Sequence, residues 1–172
     1  AKGFGDDGIL RAVIDAIEKE GVKVVGVETI LPNLSPSAGL LGIHSPDESL
    51  ERDINRGKEI LDALSPYDIG QSIIVQQGMV LGIEAAEGTD GLINRSKTLA
   101  RDGAGGVLIK LPKGGQDKRV DLPTIGTKTV LLAKSAGLSG IAIQAGGALL
   151  VEPQKTISGA DTTGLFLIAV TK

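Results

Sequence analysis

The residues able to do chemistry in this chain gather in three glycine-bearing loops. In the first, Glu84-Ala85-Ala86-Glu87-Gly88-Thr89-Asp90-Gly91, an apolar stretch runs into two glutamates and an aspartate, and Gly88-Thr89 opens a helix. A helix start accepts an anion such as phosphate, so Gly88 and Thr89 are candidate phosphate contacts, while Glu84, Glu87 and Asp90 are hard oxygen ligands suited to Mg²⁺. The same residues would serve equally as an ordinary helix start, with Thr89 as cap, Asp90 complementing the dipole and the glutamates solvated. The second loop, residues 110 to 121, interleaves Lys110, Lys113, Lys118 and Arg119 with Asp117 and Asp121. Cations there can hold a diphosphate while a carboxylate binds the metal or positions water, although a solvated surface loop of mixed charge has the same composition. The third, Gln144-Ala145-Gly146-Gly147, reads as a tight turn between two strands.

Composition narrows the chemistry to those groups. The chain has no cysteine and one histidine, His44, which excludes thiolate chemistry and Cys-ligated zinc and argues against a histidine-based triad. His44 sits in a Pro/Gly-rich loop with no acidic partner assignable from sequence, and a packing or surface role is expected for it. Basic and acidic residues number 18 and 21 and are interspersed, and aromatic residues are 2% of the chain. That pattern argues against a nucleic-acid partner, which calls for a basic stripe and stacking rings. No apolar run reaches the roughly 18 residues of a membrane span, and the N-terminus lacks a signal-peptide pattern. The expectation is a soluble cytoplasmic protein with at most peripheral membrane contact.

The elements that must position these loops follow from periodicity. Residues 6 to 20 carry Ile9, Leu10, Val13, Ile14 and Ile17 on one stripe, which predicts a helix with one buried face ended by Gly21. Residues 22 to 27 are β-branched and predict a strand. Residues 29 to 46, with three prolines, predict an ordered loop. Residues 47 to 64 form the clearest amphipathic pattern, stopped by Ser65-Pro66. Runs at 72 to 76 and 79 to 85 around Gln77-Gly78 predict a β-hairpin, and a helix follows at 89 to 102. A buried strand at 106 to 111 precedes the polar loop, and a helix at about 127 to 137 carries a run, Val130 to Ala133, expected to be buried on most sides. Strands at 141 to 144, 148 to 151 and 165 to 170 complete a single α/β domain over residues 1 to 172, a mixed sheet with flanking helices and one hairpin.

Several of these stretches also resemble a known family. Gly82-Ile83-Glu84-Ala85-Ala86-Glu87-Gly88-Thr89-Asp90 and Arg119-Val120-Asp121-Leu122-Pro123-Thr124-Ile125-Gly126 are similar to signature segments of the UDP-2,3-diacylglucosamine pyrophosphatases of lipid A synthesis, in their C-terminal domain. So are Phe4-Gly5-Asp6-Asp7, Asp68-Ile69-Gly70-Gln71 and Ala136-Gly137-Leu138-Ser139-Gly140-Ile141, so that the likeness runs over almost the whole chain. The resemblance implies a Mg²⁺-dependent hydrolase that cleaves the diphosphate of UDP-2,3-diacylglucosamine to UMP and 2,3-diacylglucosamine 1-phosphate by attack of water. It implies Asp121 as the essential carboxylate, with Asp117, Glu84, Glu87 and Asp90 as metal or water-positioning groups and Lys110 and Arg119 as phosphate contacts. It also implies an additional N-terminal domain that supplies the other walls of the ligand chamber, and a homodimer. The alternative is a non-catalytic ligand-binding or dimerisation domain.

Overall fold

The computed structural model describes residues 6–114, 119 and 121–171. In chain order these form α1 (Asp6–Lys19), α2 (Val27–Ile30), β1 (Gly39–Leu40), α3 (Glu48–Leu64), β2 (Ser72–Gln76), β3 (Met79–Ile83), α4 (Gly88–Ser96), β4 (Val107–Lys110), β5 (Thr124–Ile125), α5 (Thr127–Ser135), β6 (Gly140–Gln144), β7 (Leu149–Leu150), α6 (Pro153–Thr163) and β8 (Phe166–Val170). The main sheet is mixed, in the order β1-β8-β6-β4-β2-β3, and β5 pairs with β7 in a small second sheet. Strands β4, β6 and β8 are parallel to one another, whereas β1, β2 and β3 join antiparallel.

The central strands are continuous apolar runs because both of their faces are covered. On one face Ile73, Val75, Val107, Ile109 and Ala142 pack with Ile54 and Leu61 of α3. On the other, Ile74, Leu108, Ile141, Ile143 and Leu167 pack with Leu92 and Ile93 of α4, Val130 and Ala133 of α5 and Ala160 of α6. Each such isoleucine or leucine contributes roughly 1.5–3 kcal/mol relative to exposure. The alternation along β2 and β4 fixes which side chains face α4, and that register decides the site.

The hairpin forms where expected. Gln77 and Gly78 both take positive φ, 52° and 74°, the handedness a two-residue turn needs to match the strand twist. Asp53 of α3, 3% exposed, accepts from the backbone N–H groups of both turn residues, at 2.8 and 2.6 Å. Helix α3 starts on a side-chain cap, with the Asp47 carboxylate accepting from Leu50 N at 2.9 Å.

Four expectations are corrected. Residues 22 to 27 form no strand: Val22 and Val25 are exposed, and the chain turns into α2 at Val27. β-branched composition makes a strand only where a ladder partner exists, and this segment has none among the described residues. The loop expected over 29 to 46 contains β1, which adds antiparallel to β8. On α1 Ile14 is buried, but Val13 and Ile17 lie exposed, so the stripe is covered only in part among the described residues. On α5 Leu131 is exposed, because that helix turns Val130, Ala133 and, in part, Leu132 to the core and leaves Leu131 on the outer side.

Candidate active site

A row of polar side chains crosses the sheet at the C-terminal ends of its parallel strands. Lys110 closes β4, and its partner in register on β2 is Ser72. Beyond β3, Glu84 N donates to Ser72 O at 2.8 Å, which sets Glu84 beside Ser72. Period-two alternation turns all three toward the α4 face, the face of Ile74 and Leu108. Glu84, Ser72 and Lys110 are buried, at 8%, 0% and 7% exposure.

Helix α4 begins against this row. Thr89 Oγ1 donates to Glu84 Oε2 at 2.9 Å and accepts from Lys110 Nζ at 2.8 Å, and Ser72 Oγ stands 3.3 Å from it. Thr89 is therefore not the cap of α4: that position belongs to Glu87, which makes no side-chain capping bond. Gly88, in the first turn, takes φ +73°. Asp90 follows in the same turn and pairs with Lys128 of α5 at 2.6 Å.

The electrostatics converge on Lys110. Burial pushes its pKa below the ordinary lysine value, and the charges of Glu84, Asp90 and Asp121 oppose that shift. The turn carrying Glu84 and Asp90 and the segment carrying Asp121 thus act on one ammonium, although Asp121 comes 31 positions after Asp90 in sequence. Such a setting, a partly desolvated cation influenced by three carboxylates and beside a helix start, suits a bound diphosphate with its metal.

Other candidate residues are held elsewhere. Glu87 pairs with Arg95 at 2.9 Å and accepts from Ala85 N at 3.2 Å. Bonds from its own backbone N–H and from Arg95 hold its carboxyl below the usual range. Arg119 pairs with Glu18 of α1 at 2.8 Å, and Lys113 with Asp68 at 2.7 Å. Asp117 lies outside the described residues, as do Phe4 and Gly5. Gln144 to Gly147 form a turn, with Gly147 N donating to Gln144 O at 3.2 Å and Gly146 at φ +61°. His44 Nε2 lies 3.0 Å from Asp161 O, away from this row. Ser72 escapes sequence reasoning, which takes it only as the start of a strand. Its signal is a small polar residue opening an apolar run, in register with a lysine that closes another.

Among the described residues, no three His, Asp or Glu side chains gather closely enough to hold a metal by themselves. The donors fit a different arrangement, in which one or two carboxylates hold Mg²⁺ and ligand phosphates and water complete its octahedron. Glu84 and Asp121, whose charges both act on Lys110, are the donors such an arrangement would draw on, and Glu87 and Asp90 also bond Arg95 and Lys128. No helix among the described residues is long and apolar enough to cross a membrane.

The chain is 40% identical to the UDP-2,3-diacylglucosamine pyrophosphatase LpxI of Caulobacter vibrioides, over an alignment of 172 residues that takes in 96% of this chain. It spans 61% of the length of that relative. Residues 37–168, which include every member of the polar row, match the family described as the LpxI C-terminal domain, and the chain belongs to that family.

Proposed function

We propose that this chain contributes the diphosphate-hydrolysing centre of an enzyme of lipid A synthesis, which converts UDP-2,3-diacylglucosamine and water to UMP and 2,3-diacylglucosamine 1-phosphate. The observation that carries this reading is the Glu84–Thr89–Lys110 network at the start of α4, with the charges of Asp90 and Asp121 felt at the same ammonium. The name of the Caulobacter relative supplies the substrate.

In this mechanism the diphosphate lies against the first turn of α4, where Gly88 and Thr89 offer backbone N–H groups, and beside the Lys110 ammonium. Lys110 offsets negative charge that develops on the attacked phosphoryl group and on the departing phosphate. Asp121 orients the attacking water and accepts its proton as the new P–O bond forms and the bridging P–O bond breaks. Glu84 and Asp121 would hold Mg²⁺, which when bound supplies charge neutralisation across the two phosphoryl groups. Arg119, Glu87 and Asp90 already bond Glu18, Arg95 and Lys128, and their roles toward phosphate and metal are secondary to those of Lys110 and Glu84. The uridine and acyl chains require more wall than this chain provides, and a preceding domain of the longer protein supplies it.

The test is UMP release with Mg²⁺, measured for this chain and again for the longer protein that contains it. Turnover in the longer protein that falls by about 10²-fold or more in Asp121→Ala, with the melting temperature retained, supports the reading. Near-wild-type turnover of that variant, or binding of substrate by the longer protein without hydrolysis, sinks it and favours a ligand-binding domain.

A further inference from the structure

We infer that the Thr89 hydroxyl is a positioning group that locks Lys110 and Glu84 into their working orientations and makes no contact with the ligand, with Ser72 as its supporting donor. The inference follows from counting protons and lone pairs. A threonine hydroxyl has one proton to give and two lone pairs to receive, and a lysine ammonium can only donate. Lys110 Nζ donates to Thr89 Oγ1 at 2.8 Å, which takes the first lone pair. The single proton goes to Glu84 Oε2 at 2.9 Å. Ser72 Oγ, 3.3 Å away on a fully buried side chain, can then only be the donor to the remaining lone pair, and its length makes it the weakest of the three bonds. Nothing is left on Thr89 Oγ1 for a phosphate oxygen. The hydroxyl instead fixes the direction of the ammonium and commits one oxygen of Glu84, so that the other is the one available to a cation or a water.

The structural half of this inference stands without the proposed reaction, and the kinetic half rests on it. The structural half is tested by nitrogen-15 NMR of the lysine ammonium groups in the ligand-free chain, with the Lys110 signal assigned by its loss in Lys110→Arg. A buried, hydrogen-bonded ammonium exchanges slowly and gives a resolved signal. Wild type and Thr89→Ser should show it, and Thr89→Val, of nearly the same shape, should lose it. An unchanged signal in Thr89→Val, or its loss in Thr89→Ser, overturns the network. Thr89→Ala is the second variant should the valine form fail to fold.

The kinetic half uses the longer protein. Thr89→Val should lower kcat by roughly tenfold or more with KM within about threefold of wild type, and Thr89→Ser should stay near wild type. A loss confined to KM would make Thr89 a ligand contact and overturn the inference. Absence of any turnover in wild type, with the NMR signature intact, would leave the network standing and sink the proposed reaction instead.

Discussion

The carbonyl oxygen of Glu84 fills the space into which a side chain on Gly70 would project, and Gly70 holds a left-handed φ of +56°. The backbone that carries the site's buried glutamate is therefore seated on a residue that must lack a Cβ. Gly70→Ala should cost about 2 kcal/mol or more, through left-handed strain and the overlap together, read as a lowered urea midpoint. It should also reduce turnover, because relief of the overlap displaces Glu84. A variant that keeps both midpoint and activity would show that the close approach has no consequence.

A second prediction separates stability from chemistry. Asp53 holds the Gln77–Gly78 turn at the end of β2 and β3 remote from Ser72 and Glu84. Bonds to a charged acceptor contribute about 1.5–3 kcal/mol, so Asp53→Ala should lower unfolding free energy by roughly that amount. Turnover of the folded fraction should be nearly unchanged. A loss under about 0.5 kcal/mol would mean that the carboxylate does not hold the hairpin.

The two glutamates of the first loop should differ in importance. Glu84 is buried and bonded to Thr89, whereas Glu87 is committed to Arg95 at the surface. Glu84→Gln should reduce Mg²⁺-dependent turnover by about 10²-fold, and Glu87→Gln by less than about tenfold. The reverse order would move the metal to Glu87 and break the arrangement proposed above.

The amphipathic pattern of α3 was legible because its burial follows helical spacing, and β2, β4, β6 and β8 were legible as short continuous apolar runs, the mark of strands covered on both faces. Helix α6 was not, since Pro153–Thr163 has few apolar residues: buried Thr156 and Ala160 and partly buried Ile157 make its inner face. Its end signals were nonetheless present, with Pro153 at the first turn and Gly164 left-handed at φ +74° after the last. Of the site, the loop bearing Glu84, Thr89 and Asp90 and the strand end at Lys110 could be picked out by residue type. Their joining through one hydroxyl could not, because it depends on the pairing of Ser72 with Lys110 across two strands far apart in sequence. The strand expected at residues 22 to 27 failed for the complementary reason, since propensity says nothing about whether a partner exists.

Lys110 makes the stability of the protein depend on pH in a direction that can be checked. Burial is the largest influence and lowers its folded pKa, so between that value and about 10.4 the unfolded chain binds more protons at this site than the folded one. Stability contributed by this site must then rise with pH through that window, and stay at its lower level below the folded pKa. Lys110→Met lacks the group and cancels every other titration common to both chains. The unfolding free energy of wild type minus that of Lys110→Met, measured in urea at several pH values from neutrality to about 10, should therefore increase. In a Glu84→Gln background one of the charges that supports the ammonium is gone, the folded pKa falls further, and the increase should begin at lower pH. A difference that stays flat or declines with rising pH would mean that the neighbouring carboxylates outweigh burial, and that Lys110 is held as a fully compensated cation.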